Sequence, residues 1–357
     1  MIHFDTVGSF LRPDELKEAR KSYEGNSITR EQLTQVEDEA IKDLIKKQEA
    51  AGLHYITDGE FRRSFWHLDF MWGLGGVSQN HDIQDIEING VKTRLGNVIV
   101  EGELTGSKHP FIDHYRFVKQ HITPGHTVKL TIPSPAQFIQ TIMYSPYQGA
   151  FEGIYPSHEE QVVGVGGAYL EFLEELYQEG ARVIQFDDCS WGTLVGLPGN
   201  TDPLKDLFLE ANNYVLAQLP KDFETKMHVC RGNYKSQHFS EGPYTHVANH
   251  LFNLQHIETY YLEYDDERSG GFEPLEYVTG NKCVVLGLVT SKNPELEDKQ
   301  RIIERIKEAA KYVPLERLAL SPQCGFASTE EGNALTEQQQ WEKIAFIKEI
   351  VEEVWGE

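Results

Sequence analysis

The sequence predicts an α/β fold: a single TIM-type (β/α)8 barrel over residues 1–357, with a β-hairpin excursion after the second strand and an insertion over about 61–126. Three observations predict it. Eight short apolar, β-type runs are spread along the chain. Long stretches with helical apolar spacing separate them, and neither a repeat nor a Pro/Ser-rich linker divides the chain. Strands alternating with helices favour a parallel sheet with helices outside, and eight such units favour closure into a barrel.

The runs, in order, are Ile2–Val7, His54–Thr57, Val128–Ile132, Arg182–Phe186, Met227–Cys230, Thr259–Glu263, Cys283–Leu288 and Arg317–Leu320. Between the first two, Leu33, Val36, Ala40, Ile41 and Leu44 share one face of a 3.6-residue period. Thr29 and Gln32 have the spacing of a capping box, and Gly52 supplies the stop. After the second run, Ile86–Ile88, the dipeptide Asn89-Gly90 and Val98–Leu104 predict a hairpin. The uncharged stretch Leu130–Phe151 contains Pro133, Pro135 and Pro146 and reads as loop plus short helix near a pocket. Ser157 and Glu160 predict a second capping box. Asp202-Pro203 and Asn293-Pro294 each predict a helix start, with a capping side chain before a proline. Trp341, Ile344, Ile347, Val351 and Val354 predict a final amphipathic helix.

Composition limits the function. Against 33 basic residues stand 56 acidic ones, a formal net charge of −23. Such a balance argues against nucleic-acid or anionic-membrane partners, which need clustered cations, and leaves small molecules as the expected partners. Whether two copies pair as a homodimer is not written in the sequence. Cys189, Cys230, Cys283 and Cys324 are far apart and form no CxxC. The first residues lack a basic-then-apolar signal layout, and no run is apolar enough to span a bilayer. A cytoplasmic protein with reduced thiols is the expectation.

The chemistry-bearing residues fall at strand ends. His228 and Cys230 are two apart, so a strand points both to the same side. On their own they suit two quietly buried residues as well as a metal pair. Glu263 ends the sixth run, and Cys324 follows the eighth. A barrel gathers its strand C-termini on one face, so these four would become neighbours. One imidazole, two thiolates and a carboxylate suit tetrahedral zinc, and two soft sulfurs disfavour magnesium or calcium. Glu60 follows the second run, and Asp187 and Asp188 the fourth. These acids suit a substrate amine, helix capping, pairing with Arg62 or Arg63, or the carboxylate pair of a glycosidase-like hydrolase. His67, His109 and His158 have no distinguishing spacing and read as surface or satisfied core histidines.

These residues resemble the C-terminal, catalytic half of cobalamin-independent methionine synthase, and more closely the short bacterial homologues made of that half alone. Val7-Gly8-Ser9-Phe10 resembles the family's opening Ile-Gly-Ser-Phe, which implies homocysteine contacts at Val7, Gly8 and Ser9. Gly59-Glu60-Phe61 resembles its Gly-Glu element, and Gln185-Phe186-Asp187-Asp188 its Gln-Ile-Asp-Glu strand. By that likeness Glu60 and Asp187 hold substrate. His228-Val229-Cys230, Tyr261-Leu262-Glu263 and Cys324-Gly325 resemble its zinc-ligand elements. The resemblance implies a zinc-dependent S-methyltransferase of methionine biosynthesis that transfers a methyl group, from methyltetrahydrofolate in the family, to homocysteine or a similar thiol. Two departures stand out: Lys292 occupies the place of the family's catalytic His, and the pterin-stacking Trp is missing, with Ile139 and Thr141 in its region. Lys292 is then the candidate proton donor. Epoxyalkane:coenzyme M transferase is similar to the same half-enzyme, which makes zinc-dependent alkylation of another thiol the alternative.

Overall fold

The computed structural model describes residues 1–78, 83–88, 91–197 and 199–356. Its strands are β1 (Tyr55–Ile56), β2 (Gly75–Val77), β3 (Ile83–Ile88), β4 (Val91–Gly96), β5 (Val100–Thr105), β6 (Thr127–Val128), β7 (Leu130–Pro133), β8 (Val183–Asp188), β9 (Glu224–Val229), β10 (Thr259–Glu263), β11 (Cys283–Val289) and β12 (Leu318–Pro322). β7 to β12 form a six-stranded sheet in which sequential strands are parallel neighbours. β1 pairs in parallel with β6, which leads into β7 through Lys129 alone. At the other edge Phe4 makes a parallel bridge to Leu320 of β12.

The ladders do not by themselves close a ring. The predicted strand Ile2–Val7 contributes only the Phe4 bridge, because its next backbone group turns inward: the Thr6 amide donates to its neighbour's Asp5 Oδ1 at 2.7 Å. Asp5 in turn accepts from Lys129 Nζ at 3.1 Å and from the Tyr261 hydroxyl. The same segment touches the β1 side through Thr57 Oγ1, which donates to Gly8 O at 2.6 Å, and through the Phe10 amide, which donates to Gly59 O at 3.1 Å.

Two predicted capping boxes are present, at Thr29–Gln32 before the helix Arg30–Ala51 and at Ser157–Glu160 before the helix His158–Gln178. Gly52 takes φ +87°, the left-handed conformation that ends the first of these. Their apolar faces, including Leu33, Ile41, Leu44, Val165, Phe172 and Leu176, join one continuous core against the sheets. The final helix runs Glu337–Trp355. Two predicted starts need correction. Asp202 is already the first helical residue and its side chain makes no cap; instead it pairs with Lys205 one turn on. Asn293-Pro294 starts no helix: the helix begins at Lys299, where Asp298 accepts from the Arg301 amide at 2.8 Å.

The excursion after β1 is more elaborate than a single hairpin. β3 pairs antiparallel with β4, and β2 pairs antiparallel with β5, so Val98–Leu104 is not the arm opposite Ile86–Ile88. Asn89-Gly90 lies outside the described residues. The excursion is anchored by Phe70, whose ring packs on Tyr169 and Phe172, by His109, which packs on Phe172, and by Phe111, which packs on both of those anchors. Gly106 permits this approach: a Cβ there would lie 1.8 Å from Ala168 O. The stretch Leu130–Phe151 resolves into β7, a helix Pro135–Met143 capped by Ser134, and a short helix Gln148–Ile154. Among the described residues, no helix is long and apolar enough to cross a membrane.

Candidate metal centre and cavity

Strand alternation builds the site. On β8, Gln185 and Asp187 point to one side, Phe186 and Asp188 to the other. The far side is the structural one: Asp188 accepts from the Ser190 and Trp191 amides at 2.6 and 3.2 Å, which caps the next helix, and it also accepts from the Ser134 hydroxyl. Asp188 is thereby committed to helix capping and is withdrawn as a substrate acid. On the near side Gln185 Nε2 donates to Val7 O at 2.6 Å and to Asp187 Oδ1 at 2.8 Å.

The same alternation on β9 presents His228 and Cys230. The side chains of His228, Cys230, Glu263 and Cys324 come together, their donor atoms all within 4.8 Å of one another, and all four residues are buried. The sulfurs of Cys230 and Cys324 are 3.8 Å apart, and His228 Nε2 lies 3.9 Å from Glu263 Oε1. Neither ring nitrogen of His228 has a hydrogen-bond partner, although both are buried. The Cys189 thiol and burial hold the Cys230 thiol far above its ordinary value, and Cys230 in turn does the same to Cys324. Orphaned nitrogen, paired sulfurs and a carboxylate fit a thiophilic divalent cation, which would use the imidazole and let both thiols ionise.

Glu263 is held in place from three directions. Its Oε1 accepts from the Arg231 amide at 2.9 Å; its Oε2 accepts from Gln323 Nε2 and Arg268 Nη2, each at 3.1 Å. Burial alone would raise its pKa, but the charges of Lys292, His228 and Arg268 outweigh it and hold the carboxyl below its usual value. Lys292 does not line the cavity. Its Nζ is buried without a hydrogen-bond partner, and its charge acts on Glu263 and Asp265.

Above the cluster lies a cavity of about 310 Å³. Val7, Ser9, Glu60, Asp187, His228, Cys230 and Cys324 reach it; Gly8 and Glu263 sit behind its wall. Glu60 stands in the left-handed region at φ +62°, a conformation that a non-glycine residue keeps only when its surroundings enforce it. Arg12 Nη2 donates to its carbonyl, the Asp58 side chain accepts from its amide, and Thr131 Oγ1 donates to its carboxylate at 2.8 Å. Arg63 pairs with the same carboxylate at 3.3 Å, so one of the ion pairs expected from sequence is present. Burial raises the pKa of both Glu60 and Asp187, and the Glu60 charge raises Asp187 further. An ammonium between them is the cation that would let both ionise. Gly325 lets the Cys324 loop close on Ser9: a Cβ there would lie 1.9 Å from Ser9 Oγ.

Sequence reasoning missed several lining residues. Cys189 clusters with Cys230 and Cys324. Its signal was available, since it stands two residues after Asp187. Trp66 packs against that sulfur cluster, and its ring lies 4.6 Å from that of His67. His67 therefore belongs to the cavity, whereas His109 is a satisfied core residue and His158 an exposed one. Tyr234 and Phe239 close the mouth from the loop after Cys230, and Gln137 and Gln140 face in from the helix Pro135–Met143.

The family model for the catalytic domain of cobalamin-independent synthase matches residues 3–345. The chain belongs to that family. It is 40% identical over 363 residues to the "Uncharacterized protein YxjG" of Bacillus subtilis (strain 168), covering 98% of this chain and 94% of that one. A solved structure of a putative vitamin-B12 independent methionine synthase from Listeria monocytogenes is 35% identical, with TM-score 0.80 over 100% of this chain and 98% of that one. A B12-independent methionine synthase from Shewanella sp. W3-18-1, solved with selenomethionine, shares the fold at TM-score 0.76 and 19% identity, over 100% and 98%. Family membership supports methyl transfer as the class of chemistry.

Proposed function

We propose that this chain is a zinc-dependent S-methyltransferase that acts on homocysteine or a similar thiol in the cytoplasm, built as one (β/α)8 barrel over residues 1–357 with an insertion at about 61–126. The observation that carries the reading is the convergence of His228, Cys230, Glu263 and Cys324 at the floor of a cavity that also holds two buried carboxylates. Those four residues would hold the ion, which when bound lowers the pKa of an acceptor thiol and leaves a nucleophilic sulfur at neutral pH.

The protein's own side chains do the positioning. Glu60 and Asp187 take the acceptor's ammonium group, whose charge their mutual repulsion favours. The Val7–Ser9 segment, which Gly8 at φ +130° lets pack against Thr57 and Thr131, takes the other end of the amino acid. Gln323 and the Arg231 amide keep Glu263 from rotating. Fixing sulfur and methyl carbon in line supplies much of the rate in such a displacement. Lys292 is the candidate proton source for a donor whose leaving atom is a basic amine, as in methyltetrahydrofolate. The alternative acceptor, a sulfonate-bearing thiol such as coenzyme M, is disfavoured: no lysine or arginine is among the described residues that line the cavity.

Metal analysis joined to a homocysteine methylation assay tests the proposal. The purified protein should hold about one zinc per chain, and Cys230→Ser and Cys324→Ser should each lose the metal and turnover together. Full turnover in a zinc-free variant would refute it.

A further inference from the structure

We propose that the methyl donor is an onium cation, a methylated sulfonium or quaternary ammonium, held against Trp66 at the cavity mouth. The inference rests on the thiol-methylation reading and goes further, by naming the donor's chemical class.

Three independent features of the cavity carry it. The first is charge. Its acidic side chains are Glu60 and Asp187, and no lysine or arginine lines it among the described residues. Arg63 lies behind, paired to Glu60, and Lys235 on the covering loop is exposed and outside the lining. A donor with a polyglutamate tail or a phosphate would meet no lysine or arginine there, whereas a cationic donor meets none that repels it.

The second is the surface offered to the methyl group. Trp66 packs directly against the sulfur cluster of Cys189, Cys230 and Cys324, where the acceptor sulfur must lie. Tyr234 and Phe239 add two more rings at the mouth, and Phe239 is 53% exposed, a high figure for so apolar a side chain. Tyr234 already carries a cation, with Lys235 Nζ 5.3 Å from its ring centroid. Aromatic faces are the recognised means of holding methylated onium groups, and Trp66 is the one that faces the sulfurs. The covering loop is shaped to bring Phe239 in: Gly232 has φ +94°, and a Cβ there would strike the Phe239 ring at 2.2 Å.

The third is proton supply. Lys292, the candidate proton source, is not among the residues that line the cavity. His67 lines it, but burial pushes that imidazole down to about 3, so it is neutral at physiological pH. An onium donor needs no acid. The acceptor thiol loses its proton to solvent, its sulfur forms the new bond to the methyl carbon, and the carbon–sulfur or carbon–nitrogen bond of the donor breaks. The bonding pair stays on the leaving atom, which departs as a neutral sulfide or tertiary amine.

The test uses the zinc-loaded full chain with homocysteine and five donors: S-methylmethionine and dimethylsulfonioacetate as sulfoniums, glycine betaine as ammonium, methyltetrahydrofolate triglutamate, and methylcobalamin. Turnover from a sulfonium or the ammonium with kcat/KM about tenfold or more above both other classes is expected, and the first two arms against the third decide which onium is used. Trp66→Leu should lower kcat/KM for that onium by about tenfold and Trp66→Phe by much less, since a ring face survives. A binding measurement separates recognition from turnover: choline should bind by calorimetry at least about tenfold more tightly than its neutral carbon isostere 3,3-dimethylbutan-1-ol, and Trp66→Leu should erase the difference. Methylation from methyltetrahydrofolate or methylcobalamin with the oniums inert would overturn the inference while the methyltransferase reading stands. Failure of all five donors with homocysteine, and then with cysteine and coenzyme M as acceptors, would overturn that reading itself. Equal binding of choline and its isostere would also overturn the inference.

Discussion

A single side chain, Gln323, shows how the metal ligands are held. It donates to Glu263 Oε2 through Nε2, while its Oε1 accepts from the Ser291 amide and hydroxyl at 3.2 Å each. It therefore fixes the rotamer of the carboxylate ligand and ties it to the segment that carries Lys292. Partners of this kind commonly contribute 10–100-fold to metal affinity. We expect Gln323→Ala to weaken zinc binding by roughly that factor, with the far-ultraviolet circular dichroism unchanged, as read by competition with a chromophoric chelator. Unaltered affinity would show that the Arg231 amide and Arg268 suffice. At this scale the sequence was readable where period-two spacing marks a strand end, as for His228 and Cys230. The same spacing links Asp187 to Cys189, yet Cys189 lies one residue past the end of β8, where strand alternation no longer dictates its direction. Trp66 and Phe239 were illegible for a different reason. They sit on irregular loops, where no period dictates which way a side chain faces.

Elements were legible in proportion to how local their causes are. Thr29–Gln32 and Ser157–Glu160 cap their helices as read, because a capping box is decided within four residues. Asn293-Pro294 failed because Asp298, five residues on, makes the cap instead. The excursion was misread because β2 and β5 are distant partners that no local pattern pairs. That excursion also carries a pH dependence. Burial pushes His109 down to about 4 and His114 down to about 3, and His109 Nδ1 accepts from the Phe111 amide, which requires the neutral ring. In the unfolded chain each would titrate near 6.5. The folded state therefore binds fewer protons in this interval. Its stability is full above about 6.5 and falls as the pH drops toward the folded values, by at most about 1.4 kcal/mol per pH unit for each histidine. His109→Gln should reduce the slope of unfolding free energy against pH between 6.5 and 4 by about one proton's worth, measured by urea denaturation across that range. A variant with the parent's slope would remove His109 from the account.

Over the whole molecule, the six-stranded sheet joins strands that are neighbours in sequence, and this is why the alternating pattern could be read as an α/β fold from the chain alone. Whether the ring closes depends on the first segment, where Asp5, Lys129 and Tyr261 form a buried ionic cluster across the inner face instead of a backbone ladder, a choice that no periodicity announces. The metal centre acts on this same problem. His228 and Cys230 come from the end of β9, Glu263 from the end of β10, and Cys324 from beyond β12, so one ion would bind together three strand ends across 97 residues of chain. A ligand that binds only the folded state adds roughly 2.7 kcal/mol at a free concentration 100-fold above its dissociation constant. Chelation should therefore lower the midpoint of thermal unfolding by several degrees and leave the helix signal at 25 °C intact, since the apolar core does not depend on the ion. In Cys324→Ser the chelator should change nothing further, because the site is already broken. If instead the chelator lowers the midpoint of parent and variant alike, the ion that stabilises the fold is bound elsewhere, and the four residues are not its ligands.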